Sequence, residues 1–138
     1  MELLLVHLTD IHIRDDEDLD VLSARTDSIG GAICNHITNP SETEVIFCVT
    51  GDLVFSGKDD QYAAAGLILD EIYFLINKRY PKVGIHSVFV PGNHDCDFDA
   101  PEEEVREPLL ISPALDISKP SALKACTAIQ KNFYMFGE

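Results

Sequence analysis

Three short apolar runs, each closing on a small polar cluster, constrain this chain more than any other feature. Residues 3–8 (LLLVHL) end in Thr9-Asp10-Ile11-His12, and residues 44–50 (EVIFCVT) end in Gly51-Asp52. Residues 85–90 (IHSVFV) end in Pro91-Gly92-Asn93-His94-Asp95. Apolar stretches of this length, rich in β-formers and bounded by Gly, Pro, Asn and Asp, read as buried strands. The intervening segments are long enough for helical crossovers, so the strands pair in parallel. The predicted order is β-α-β-α-β, an α/β arrangement that makes half of a doubly wound sheet. Ligands of such sheets bind at the carboxyl ends of the strands, which is where all three polar clusters fall.

The helices are read from period and punctuation. The acidic run 15–20 is a solvated loop leading into a helix over 19–37, with Leu22, Ile29, Ile33 and Ile37 on one side. Gly30-Gly31 weakens that helix, each glycine costing about 1 kcal/mol relative to alanine. Residues 60–79 carry Tyr62, Ala65, Leu69, Ile72 and Ile76 at spacings of three and four, the mark of one buried stripe. Beyond Asp95 the acidic residues Asp97, Asp99 and 102–104 make a loop broken by Pro101, Pro108 and Pro113. A last helix is expected over 121–136, with Ala122, Cys126, Ile129, Phe133 and Phe136 along the face that packs on a core. The 138 residues, 46% of them hydrophobic, suffice for one core and one domain spanning 1–138.

A formal charge of −14 argues against a general affinity for nucleic-acid backbones, although bound metal ions would reverse the sign locally. Nucleic acid is therefore an open but disfavoured partner. Cys34, Cys48, Cys96 and Cys126 show neither a CxxC spacing nor a disulfide framework. The apolar start lacks a basic leader and is too short to span a membrane. A soluble cytoplasmic protein is the expectation.

The clusters hold side chains of metal-ligand type. Asp10 and His12 are two apart, and in extended backbone residues i and i+2 point the same way, toward one ion. A carboxylate with an imidazole suits Mn, Fe or Zn better than Mg or Ca. Asp52 supplies a carboxylate able to bridge two ions, and Gly51 lets the backbone come close. Asn93 offers an amide oxygen. His94 points elsewhere, free to act as a general acid or to contact a phosphate, and Asp95 is placed to orient or charge-balance its imidazole.

Asp10-x-His12, Gly51-Asp52 and Gly92-Asn93-His94-Asp95 resemble, in order and in position after strands, the first three signature blocks of the calcineurin-like metallophosphoesterases. The resemblance covers residues 3 to about 97. It implies the first half of an αββα sandwich and a phosphoester hydrolase with two divalent ions. By this resemblance Asp10 and His12 bind the first ion, Asp52 bridges both and Asn93 binds the second. His94 is the catalytic histidine beside Asp95. In-line attack by a metal-activated water is implied, the ions about 3.5–4 Å apart.

The family pattern continues with a further histidine and a Gly-His-x-His block, whereas the five histidines here include none after His94. The metal shells are about half supplied, which fits either a piece of a longer enzyme, incomplete at its C-terminal end, or a degenerate homologue. The first is favoured, and half a sandwich is expected to expose an apolar sheet face. His7 and His86 read as hydrogen-bonded strand residues, and His36 as a helix-end residue. The span from Gly51 to Lys58 fails as a phosphate loop, having five residues between glycines and Asp59 after the lysine. Arg14 reads as a solvated arginine, and Cys96 as unreactive among acids. Nucleotide phosphodiesters, cyclic nucleotides and phosphoproteins all fit as substrates. A nuclease of the same superfamily and a non-catalytic scaffold module are the alternatives.

Overall fold

The computed structural model describes every residue except Asp15, Pro113 and Glu138. Strand β1 (Glu2–Leu8) leads through helix α1 (Asp16–His36) to β2 (Thr43–Thr50), and α2 (Asp59–Arg79) leads to β3 (Gly84–Val90). The strands form one parallel sheet in the order β1-β2-β3. Within a residue or two, the three strands and α2 occupy the predicted spans. The α1 helix begins earlier, taking in part of the acidic run; Asp15 of that run lies outside the described residues.

Register explains why both helices share one face. Leu4, Val45 and Ile85 form one row across the strands, and Leu8, Val49 and Phe89 another. In the row between them Val6 and Phe47 stand beside Ser87. That hydroxyl is matched by Tyr73 of α2, whose OH lies 2.6 Å from Ser87 Oγ while its ring packs on Phe47 at 4.8 Å. Ile33, Ile37, Ile68, Ile72 and Ile76 close over this face. The glycine pair does not break α1: Gly30 is buried against Leu75 of α2, so tertiary packing outweighs propensity.

The opposite face carries Leu3, Leu5, Val88 and Val90, each at least half exposed. A parallel sheet is ordinarily covered on both faces, so the expected bare apolar face is present. Along it His7 bonds Thr50 and His86 bonds Glu44, which accounts for two strand histidines without any metal. Among the described residues no helix is long and apolar enough to cross a membrane.

The region after Asp95 departs from expectation. Residues read as an acidic loop include helix α3 (Glu103–Leu110), with Glu103 and Glu104 in its first turn and Arg106 bonded to both Glu103 oxygens. Acidic side chains suit a helix start, and Pro108 lies near the end of the helix rather than preventing it. The expected last helix is divided into α4 (Pro120–Thr127), a 3-10 turn (Ala128–Gln130) and α5 (Lys131–Phe136). The turn presents the Ile129 carbonyl to the Asp97 amide at 2.8 Å and buries both Ile129 and Phe133.

A second apolar cluster lies under the strand ends: Ile13, Val49, Leu53, Val54, Tyr62, Ala65 and Phe133. Above it the connection after β2 meets the loop after β3. Gly57 has φ +65°, and a Cβ there would stand 2.5 Å from the Cys96 carbonyl carbon and the Asp97 amide nitrogen. Gly57→Ala thus combines left-handed backbone with a backbone clash, and is expected to cost about 2 kcal/mol or more in urea unfolding. Wild-type stability in that variant would show that the two loops are not in contact.

Candidate metal centre

Backbone pairing continues past the ends of β1 and β2 and brings their two loops together. The Asp10 amide donates to Gly51 O at 3.2 Å, His12 N to Asp52 O at 3.0 Å, and Ile13 N to Leu53 O at 3.2 Å. Phe55 N returns a bond to Ile13 O at 3.0 Å. The peptides here are not extended as expected. Asp10, His12 and Asp52 have φ of 56°, 55° and 53°, a region that non-glycine residues seldom enter and that clusters at functional sites. The i, i+2 convergence of Asp10 and His12 therefore does not come from strand geometry. The turned backbone separates their roles: His12 faces inward, while Asp10 is exposed, its Oδ1 3.9 Å from His12 Nε2 and its Oδ2 accepting from Thr9 Oγ1.

The third loop delivers His94. Its amide donates to Asp52 Oδ1 at 2.9 Å, and its ring stands edge-on to that of His12 with centroids 4.6 Å apart. Gly92 lies against the Asp52 carboxylate so closely that a Cβ would collide with it. His12, Asp52 and His94 each offer one ligand atom, and these atoms lie within 4.8 Å of one another. His94, expected to serve apart from the ligands as a general acid or phosphate contact, has its ring nitrogen beside the ligand atoms of the other two. The cause is the 2.7 Å contact between its Nδ1 and the Phe55 carbonyl, which swings the ring toward the other two. Because a carbonyl only accepts, Nδ1 carries the proton and, in the neutral ring, Nε2 carries the lone pair.

This donor set fits a divalent ion. Two imidazoles and a carboxylate match the preferences of Mn, Fe and Zn. The Nδ1 of His12 is buried with no hydrogen-bond partner among the described residues, a cost that coordination or an ordered water would remove. Asp10 lies beside this group, its Oδ1 3.9 Å from His12 Nε2. Asn93 is exposed and lines an adjoining cleft.

Asp95 occupies a different place from the one its position beside His94 implies. It is 1% exposed, and its carboxylate accepts from Gly92 N at 2.8 Å, Val54 N at 3.2 Å and Tyr62 Oη at 3.3 Å. The partner of the His94 imidazole is the Phe55 carbonyl instead. Burial and the Asp95 carboxylate push the Tyr62 phenol far above its ordinary value, so it remains a donor. Asp95 thus ties all the pieces from inside. Burial likewise raises the Cys96 thiol, in line with an unreactive cysteine.

Several contributors carry no motif. Gln61, at the start of α2, accepts from Ser56 N and donates to Arg14 O, bridging two of the loops. Arg14 is not merely solvated: its guanidinium sits 4.5 Å from the Phe55 ring centroid. Lys58 pairs with Asp97 at 2.6 Å and Asp99 at 3.1 Å, and the Asp97 carboxylate raises its ammonium above the ordinary value. Only an anticipated fold would have pointed to these side chains.

No curated protein and no solved structure matches the chain. A family model described as calcineurin-like phosphoesterase matches residues 3–134, nearly the whole length, and takes in all three loops that converge on His12, Asp52 and His94. The chain belongs to the calcineurin-like phosphoesterase family.

Proposed function

We propose that this chain carries active-site residues of a metal-dependent phosphoester hydrolase, a phosphodiesterase or phosphatase. The observation behind the reading is the convergence of His12, Asp52 and His94 from three strand ends to within 4.8 Å. Asp10, His12, Asp52 and Asn93 would hold two divalent ions, with Mn, Fe or Zn favoured by the nitrogen content. When bound, such ions supply Lewis acidity toward phosphoryl oxygens and make water nucleophilic at neutral pH.

The protein's own contribution is orientation. Asp52 Oδ1 receives the His94 amide, which fixes this carboxylate beside both imidazoles. The Phe55 carbonyl fixes the His94 tautomer, so that Nε2, once protonated, is the atom able to donate to a departing oxygen. Asp95 maintains this geometry as a positioning residue. The net charge of −14 favours small phosphoesters over a nucleic-acid substrate, which places a nuclease second among hydrolases. A non-catalytic binding module has one observation in its favour: no histidine follows His94.

Manganese titrated into the chain is expected to bind, and Asp52→Asn to weaken binding by at least about tenfold. Manganese-dependent hydrolysis of bis(p-nitrophenyl) phosphate should stop on chelation and fall by about 10²–10⁴ in kcat in His94→Ala. Binding that ignores Asp52→Asn would overturn the metal centre, and binding without turnover would leave the non-catalytic module. Asp95→Ala strands the buried amides of Gly92 and Val54, so it should lower unfolding free energy by about 2–4 kcal/mol. Asp95→Ala at wild-type stability with activity lost would instead make Asp95 a direct participant.

A further inference from the structure

Beside the three metal-capable residues lies a cleft of about 190 Å³, lined by Phe55, Asn93, His94, Phe98 and Asp99 among others. Liquid water takes about 30 Å³ per molecule, so the space suits one planar ring system and excludes a folded partner. Its walls are aromatic and open, Phe55 being 38% and Phe98 51% exposed. Each ring has a cation at its face: Arg14 lies 4.5 Å from the Phe55 centroid and Arg106 5.6 Å from that of Phe98. Phe55 also lies 5.2 Å from the His94 ring at an interplanar angle of 30°, so the aromatic wall is continuous with the metal-capable group.

The walls are held in place from behind. Gly57 lies directly against the backbone of Cys96 and Asp97, and Lys58 binds the carboxylates on both sides of Phe98 in sequence, Asp97 and Asp99. The Asp97 amide is fixed to Ile129 O, and Asn132 Nδ2 donates to Gly57 O at 2.9 Å. Lys58 offsets one of the two charges of Asp97 and Asp99, which weakens the repulsion of an anionic ligand by this side of the cleft. Phe98, half exposed beside a polar centre, is a stacking platform.

We propose that this cleft is a specificity subsite for a planar aromatic group, a nucleobase or aryl ring, carried by the phosphoester whose phosphorus sits at His12, Asp52 and His94. The assignment rests on the hydrolase reading for the phosphate, but not for the ring. Phe98 is the residue that sets the preference, and Lys58 positions it. The two phenyl rings supply apolar wall, while Ser56, Asn93 and Asp99 add polar groups to the lining.

The test is calorimetric titration of the manganese-loaded chain with adenosine 5′-monophosphate, ribose 5-phosphate, adenosine and inorganic phosphate. The nucleotide is expected to bind about tenfold or more tightly than ribose 5-phosphate, the contribution of one stacked base. Phe98→Ala should erase that difference and Phe98→Tyr should keep it. Equal affinities for the nucleotide and ribose 5-phosphate, or a preference that survives Phe98→Ala, would overturn the subsite and leave the hydrolase reading untouched. Adenosine binding that depends on Phe98, with no phosphate binding at all, would support the subsite and overturn the hydrolase reading.

Discussion

The parallel pairing that runs on beyond the strands into the loops is the constraint from which the site follows. Were the chain to diverge after Leu8 and Thr50, Asp10, His12 and Asp52 would sit on unconnected turns. Instead the amides of Asp10, His12 and Ile13 find carbonyls at Gly51, Asp52 and Leu53. Each loop is thereby ordered by the other, with its backbone donors satisfied. The left-handed φ at Asp10, His12 and Asp52 is the conformational cost of that pairing. Residues in this region persist where the surroundings over-determine them, and here Ile13 and Val54, both fully buried, anchor the same two loops from below.

The third loop is attached by a different device, a buried carboxylate. Asp95 reaches Val54 in one loop, Gly92 in its own and Tyr62 on α2, joining elements far apart in sequence at a single residue. Hydrogen bonds to a charged acceptor are stronger than neutral ones. The high, burial-driven titration of Tyr62 keeps that donor protonated across the working pH range. His94 inherits its geometry from this knot, since its neighbour is fixed inside the protein while its own ring is held by Phe55 O.

These two devices mark how far the sequence could be read. Strands and α2 were legible because apolar runs bounded by turn residues and the three-four spacing from Tyr62 to Ile76 reflect burial. His12 and Asp52 were legible as candidate ligands because they are an imidazole and a carboxylate at strand ends. The backbone was not, since nothing in Thr9-Asp10-Ile11-His12 announces left-handed φ, and a strand-like i, i+2 argument fails there. Adjacency in sequence suggests Asp95 as the partner of His94 but does not reveal that its carboxylate accepts from Gly92, Val54 and Tyr62 while the His94 ring meets the Phe55 carbonyl. The helix at Glu103–Leu110 was hidden by prolines, and the break before Lys131 by a tertiary bond to the Ile129 carbonyl. The first is held by local charge, the Arg106–Glu103 pair and an acidic first turn, and the second by long-range packing that overrides local propensity.

Electrostatics links the site to the rest of the chain. Only 10 lysines and arginines oppose 24 acids, yet Arg14, Lys58 and Arg106 all lie at or behind the aromatic cleft. Lys58 and Arg106 pair with the acids nearest the cleft, Asp97, Asp99 and Glu103, and offset two of their three charges. The carboxylates of Asp10 and Asp52, by contrast, have no lysine or arginine in salt-bridge contact among the described residues. A centre arranged in this way has no positive side chain paired with its carboxylates among the described residues, while the acids around it are partly offset. A divalent ion is the species that completes such a field, and once bound it turns the end of an acidic protein into a local attractor for an anionic ester. The excess negative charge elsewhere then opposes extended polyanions without reaching the centre, because solvent salt screens it over about 8–10 Å.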